Sequence, residues 1–142
     1  MNLANAETLA RSLIAEHAPD GYGFGWDRAT QRFGQCRYDQ RVITLSRVLT
    51  PMRDDDAVRQ TVLHEIAHAL TPGTGHGWEW KAQAYRLGVR RPTARHAEPN
   101  VKVPARIIGQ CQRCGVRIER QRVPKRKMMH SADHGEITWS RV

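Results

Sequence analysis

Between Pro51 and the triplet Thr71-Pro72-Gly73 lies a stretch whose punctuation and periodicity leave it one conformation. The acidic run Asp54-Asp55-Asp56 suits the positive end of a helix macrodipole, and proline with glycine stops the segment. Val58, Val62, Ile66, Ala69 and Leu70 gather on one side at helical spacing, so that side can lie on a core. At about 100° per residue, His64 and His68 fall about 40° apart on the other side. Whatever this chain folds into must cover the apolar stripe and leave the two imidazoles within reach of a ligand.

His64-Glu65-Ile66-Ala67-His68 is an HExxH pattern. Both imidazoles can reach one ion. Glu65 projects beside the site, close enough to touch a metal-bound water without being a ligand. Zinc needs a third protein ligand and an open position. His76 is the expected third ligand, because Pro72, Gly73 and Gly75 let the chain reverse over the helix; Glu79 is the rival. Such an ion lowers the pKa of its water from 15.7 to about 7. Glu65 then takes the proton as general base and passes it to a leaving amine. Tyr85 is a candidate oxyanion donor or a packed side chain.

The flanking elements read as α+β. Ala4 to His17 repeats Leu9, Leu13 and Ile14 at helical spacing, with Asn5 as the expected N-cap and Pro19-Asp20-Gly21 as the stop. From Tyr22 to Ser46 the alternation predicts a small antiparallel meander of about three strands, with Cys36 as a small buried hydrophobe. A further helix is expected from about Gly77 to Leu87, ended by Gly88.

Charge divides the chain. Residues 1–80 hold eight Lys/Arg against ten Asp/Glu; residues 81–142 hold fifteen against four. A basic half joined to a slightly acidic one suggests a polyanion partner, with nucleic acid first. Residues 91–106, rich in proline and basic residues, read as an extended linker between a domain at 1–90 and a small module of strands at 107–142. Cys111-Gln-Arg-Cys114 opens that module and is one half of a zinc knuckle. His130 and His134 follow at an acceptable spacing for a structural zinc site, with Asp133 as the alternative fourth ligand; a ribbon without metal is the other reading. Arg117, Arg120, Arg122, Lys125, Arg126 and Lys127 form a basic run suited to phosphate, and Trp139 could stack on a base or fill the module's core. Three cysteines make a disulfide framework unexpected, and with no signal peptide or membrane span visible the expected location is cytoplasmic, near DNA.

Taken in order, Gly34-Gln-Cys36 with Ile43-Thr-Leu-Ser46, His64-Glu-Ile-Ala-His68, Gly75-His76-Gly77 followed by Trp80, and the trailing CxxC module resemble the SprT-like (Spartan-related) zinc metalloprotease family. The resemblance implies His64, His68 and His76 as zinc ligands, Glu65 as the catalytic residue, and a minimal zincin-like fold with a zinc ribbon. It implies proteolysis of proteins bound or crosslinked to DNA. The chain departs from the pattern where His130 with Asp133 or His134 replaces the second cysteine pair. A non-proteolytic DNA-binding protein on the same scaffold, or a peptidase for one regulator such as a repressor, are the alternatives. A monomer is expected.

Overall fold

The computed structural model describes residues 1–93, 98, 101 and 103–142. The chain divides into two units, Met1–Val103 and Pro104–Val142.

The first unit opens with α1, Leu3–His17, whose Ala6, Ala10, Leu13 and Ile14 are buried. The Asn2 side chain, not Asn5, caps it, accepting the Asn5 N–H at 2.7 Å. The helix therefore starts earlier than expected, and Asn5 lies inside its first turn.

Three short strands follow: β1 (Gly23–Asp27), β2 (Gly34–Arg37) and β3 (Val42–Ser46). Their order is β1-β3-β2, with β1 parallel to β3 and β2 antiparallel to it. The antiparallel meander is corrected on this point. Ile43, Thr44, Leu45 and Ser46 are consecutively buried, the pattern of a strand covered on both faces, so β3 takes the centre. Residues 28–33 then carry the chain from one edge of the sheet to the other. Asp27 anchors the start of that crossing: its carboxylate accepts the Ala29 N–H at 2.9 Å and the Thr44 hydroxyl at 2.7 Å. Ser46 closes it, donating its N–H to the Phe33 carbonyl and its hydroxyl to the Ala29 carbonyl.

A 3₁₀ turn at Thr50–Met52 leads into α2, Asp55–Leu70. The Asp54 side chain caps α2 by accepting the Ala57 N–H, and Asp55 and Asp56 fill the first turn. Val58, Val62, Ile66 and Ala69 are buried as the periodicity predicts, while Leu70 is half-buried. Helix α3, Trp78–Leu87, packs on α2 and ends at Gly88 in a left-handed cap with φ 99°.

The expected linker is partly built into this unit. Val89 is 4% exposed and belongs to the core. The buried Arg53 guanidinium donates to both Glu98 carboxylate oxygens, at 3.0 and 2.6 Å, and to the Thr61 hydroxyl at 2.7 Å. It also stacks over the Phe33 ring, 3.8 Å from the centroid. A planar, bidentate donor ties down residue 98, well past the last helix. Residues 94–97, 99, 100 and 102 of the expected linker lie outside the described residues.

The second unit is a three-stranded antiparallel sheet of β4 (Ile107–Cys111), β5 (Arg117–Arg120) and β6 (Ile137–Arg141), in the order β5-β4-β6. Its buried side chains are few: Ile107, Cys111 and Ile137. So small a core needs another source of stability.

Candidate metal centre

Helix α2 carries His64, Glu65 and His68, and the turn after it returns His76 to the same place. The Nε2 atoms of His68 and His76 are 3.0 Å apart, and those of His76 and His64 are 3.3 Å apart. Tetrahedral zinc with bonds of about 2.0–2.1 Å sets neighbouring ligand nitrogens about 3.3 Å apart. His76 stands close to that spacing from both helix histidines, and all three ligand nitrogens lie within 4.8 Å of one another, so the group fits the ion. Burial, with His76 beside it, holds the His68 imidazole down at about 4; burial also lowers that of His76. Both rings are therefore neutral near pH 7, the form that binds metal. Glu79, the rival ligand, stands on the first turn of α3 and is not part of the cluster.

Trp80 explains how the rings are held. It is fully buried, with its centroid 4.6 Å from those of His64 and His76 and 5.2 Å from that of His68, near-parallel to the last. Its indole N–H donates to the His64 carbonyl at 3.3 Å. One side chain of α3 thus braces all three imidazoles against α2. In the sequence Trp80 marks only a resemblance, because nothing local distinguishes a brace from an ordinary core residue.

Glu65 is 8% exposed, and its carboxylate lies 3.9 Å from His64 Nε2. Burial raises its pKa to about 7; Arg32 and the Cys36 N–H oppose the rise, and Asp27 adds to it. A cation bound beside it would pull the value back down. The close approach of β2 to α2 depends on Gly34. A methyl there would stand 2.8 Å from the Thr44 carbonyl oxygen, 2.9 Å from Thr61 Cγ2 and 3.5 Å from Glu65 Cγ.

A cavity of about 320 Å³ opens over the three histidines, with Glu65 in its wall. Arg32, Gly34, Gln35, Cys36 and Tyr38 line the rest. Cys36 is therefore not the buried hydrophobe expected from its type. It is half-buried in the wall of the site, where burial pushes its thiol up to about 11. Tyr85 is 64% exposed and is absent from this lining, so it is neither packed nor beside the metal ligands. The phenol that lines the site is Tyr38, held protonated by burial at about 12. Its position just past β2 is the signal that sequence reasoning missed.

In the second unit, Cys111, Cys114, His130 and Asp133 bring their ligand atoms within 4.8 Å of one another. Cys114 Sγ is 3.3 Å from His130 Nδ1, which is 3.0 Å from Asp133 Oδ1; Cys111 Sγ is 3.4 Å from the same oxygen. His134, the favoured fourth ligand, stands outside this group. Its N–H closes the turn onto the His130 carbonyl at 2.7 Å with φ 54°, and that turn directs Asp133 inward instead. The Gly135 N–H donates to the Asp133 carboxylate at 2.8 Å and, with the Cys114 thiol, holds it well below the usual carboxylate range. Two sulfurs, one imidazole and one ionised carboxylate make four donors of the kinds zinc accepts.

Of the expected phosphate contacts, Arg117 and Arg120 lie on β5, and Arg122, Lys125, Arg126 and Lys127 on the chain after it. Lys127 pairs with Glu136 at 3.3 Å. A cavity of about 840 Å³ in this unit is lined by Arg106, Arg122, Arg141 and Trp139 among others. Trp139 is half-buried across β4, where Gly109 leaves room for its ring.

A small α+β unit thus brings two helix-borne histidines and a third from the following turn into one group that could hold a metal ion, beside a buried glutamate. The SprT-like family model matches residues 4–103, and the chain belongs to the SprT-like family, which is associated with zinc metallopeptidase-like function. Comparison with curated proteins and with solved structures finds no match. Among the described residues, no helix is long and apolar enough to cross a membrane.

Proposed function

We propose that this chain is a zinc-dependent peptidase of zincin type that works on proteins bound or crosslinked to DNA. The observation that carries the reading is Glu65, a buried carboxylate set between the three-histidine cluster and the backbone of β2. His64, His68 and His76 would hold the ion, which supplies Lewis acidity toward water and a substrate carbonyl. Glu65 accepts a proton from the attacking water and returns it to the departing amine. The Cys36 N–H keeps that carboxylate oriented. Tyr38 and Arg32, in the same wall, are the donors placed to meet negative charge on the scissile carbonyl.

The wall also suits a polypeptide. β2 pairs with β3 on one side and with no other described strand. Gly34, Gln35 and Cys36 line the cavity, so an extended peptide can run along that edge. The nucleic-acid part of the reading rests on the second unit. It carries nine Lys/Arg against three acids, and Arg106, Arg122 and Arg141 line one cavity together with Trp139. Cys111, Cys114, His130 and Asp133 would hold a structural zinc that makes up for its small core.

The test measures zinc per chain and cleavage of casein, with and without single-stranded DNA, in the wild type, His68→Ala and Glu65→Gln. DNA-stimulated cleavage lost in both variants, with zinc lost only in His68→Ala, is the expected result. Cleavage that survives Glu65→Gln overturns the catalytic assignment. It would leave a DNA-binding protein on a peptidase scaffold.

A further inference from the structure

Helix α3 turns Trp80 and Ala84 inward. Its outer side carries two large rings that the core does not use: Trp78 is 76% exposed and Tyr85 64% exposed. They are seven residues apart, which places them on one stripe about 10 Å apart along the axis. Lys81 and Ala82 lie between them on the same stripe, and Arg86 follows Tyr85; all three are exposed. Scattered single apolar residues on a surface are ordinary. Two aromatics in register, with a lysine between them and an arginine at one end, form a repeating aromatic-and-cation surface.

We infer that this face of α3 is a binding strip for single-stranded nucleic acid. Unpaired bases offer flat faces to Trp78 and Tyr85, while Lys81 and Arg86 meet the phosphates. The cations favour a polyanion over a neutral apolar peptide. Ala82 leaves the middle of the strip low, so a strand can pass between the rings. The distance between them spans roughly three stacked nucleotides at about 3.4 Å each. The strip begins two residues beyond His76. A strand lying on it runs beside the metal centre, and a protein attached to that strand is carried to the cleavage site. The inference rests on the peptidase reading for its purpose, not for its binding chemistry, and it is separate from the basic cavity of the second unit.

The test is the affinity of the full chain for a labelled oligothymidylate, read by fluorescence anisotropy across a salt series. The double variant Trp78→Ala/Tyr85→Ala, with both changes on exposed side chains, is expected to bind about tenfold more weakly or worse. Trp78→Phe/Tyr85→Phe keeps both rings and should restore most of the affinity. Lys81→Glu should flatten the salt dependence by about one phosphate contact. The loss should be confined to the single strand, since a duplex hides its base faces. Wild-type affinity in the alanine variant, or an equal loss on duplex DNA, overturns the inference. Unchanged strand affinity with reduced casein cleavage in the absence of DNA also overturns it, and makes the strip a polypeptide surface. If the wild type cleaves nothing while the alanine variant still loses the strand, the strip stands and only the peptidase reading falls.

Discussion

Glu65 stands beside His64 and Trp80 packs against all three imidazoles, and the two contribute through different physics. In the proposed reaction Glu65 moves a proton, so an isosteric amide should remove function and spare structure. Glu65→Gln is expected to lower kcat/KM for a peptide substrate by at least about a hundredfold. Its zinc content and melting temperature should stay at wild-type values, as read by metal analysis and thermal denaturation. Trp80 moves nothing; it fixes where the rings point. Trp80→Phe removes the hydrogen bond to the His64 carbonyl and part of the ring contact. Loss of such outer support weakens metal affinity by roughly ten- to a hundredfold, to be read by competition with a chelator. His64, Glu65 and His68 are plain in the sequence because helical spacing is local arithmetic. Tyr38, Arg32 and Cys36 are not, because they reach the site through sheet pairing that no local pattern reports.

Elements differ in how far local signals specify them. Helix α2 was legible from its acidic start, its apolar period and its proline-glycine stop, and its bounds fall where those signals put them. The three strands were legible as strands but not in their order. A one-residue alternation predicts a pleat, while the choice of parallel or antiparallel partner depends on burial of β3 from both faces. The contact between β2 and α2 gives this scale its sharpest prediction. Gly34→Ala places a methyl against a backbone carbonyl that cannot give way, and should cost about 1–3 kcal/mol in chemical denaturation. It should also lower activity, because the strand that must shift carries the N–H that holds Glu65. Gly23→Ala, in open space on β1, is the matched control and should change stability little. At the N-terminus of α2, Asp54→Ala removes the cap and should cost about 1 kcal/mol in the same measurement.

At the scale of the whole molecule, the described residues hold two ligand clusters, one in each unit. The first was legible down to its third histidine. In the second, His134 and Asp133 stand side by side in the sequence, and only the backbone turn at residues 130–134 decides which one points inward. Metal analysis should therefore find two zinc ions per chain. Cys114→Ala should lose one of them and keep the other, with casein cleavage in the absence of DNA retained. Loss of both ions from that single change would contradict the independence of the two sites. The cysteines are divided in the same way. Cys36 is a half-buried thiol pushed up by burial, whereas Cys114, its thiol also raised beside the Asp133 carboxylate, stands exposed to solvent. Exposure rather than thiolate character decides which sulfur a dissolved oxidant meets first, and it is Cys114. Under the proposed reading, peroxide would open the cluster of Cys111, Cys114, His130 and Asp133 first, while the three-imidazole cluster offers it no sulfur to attack.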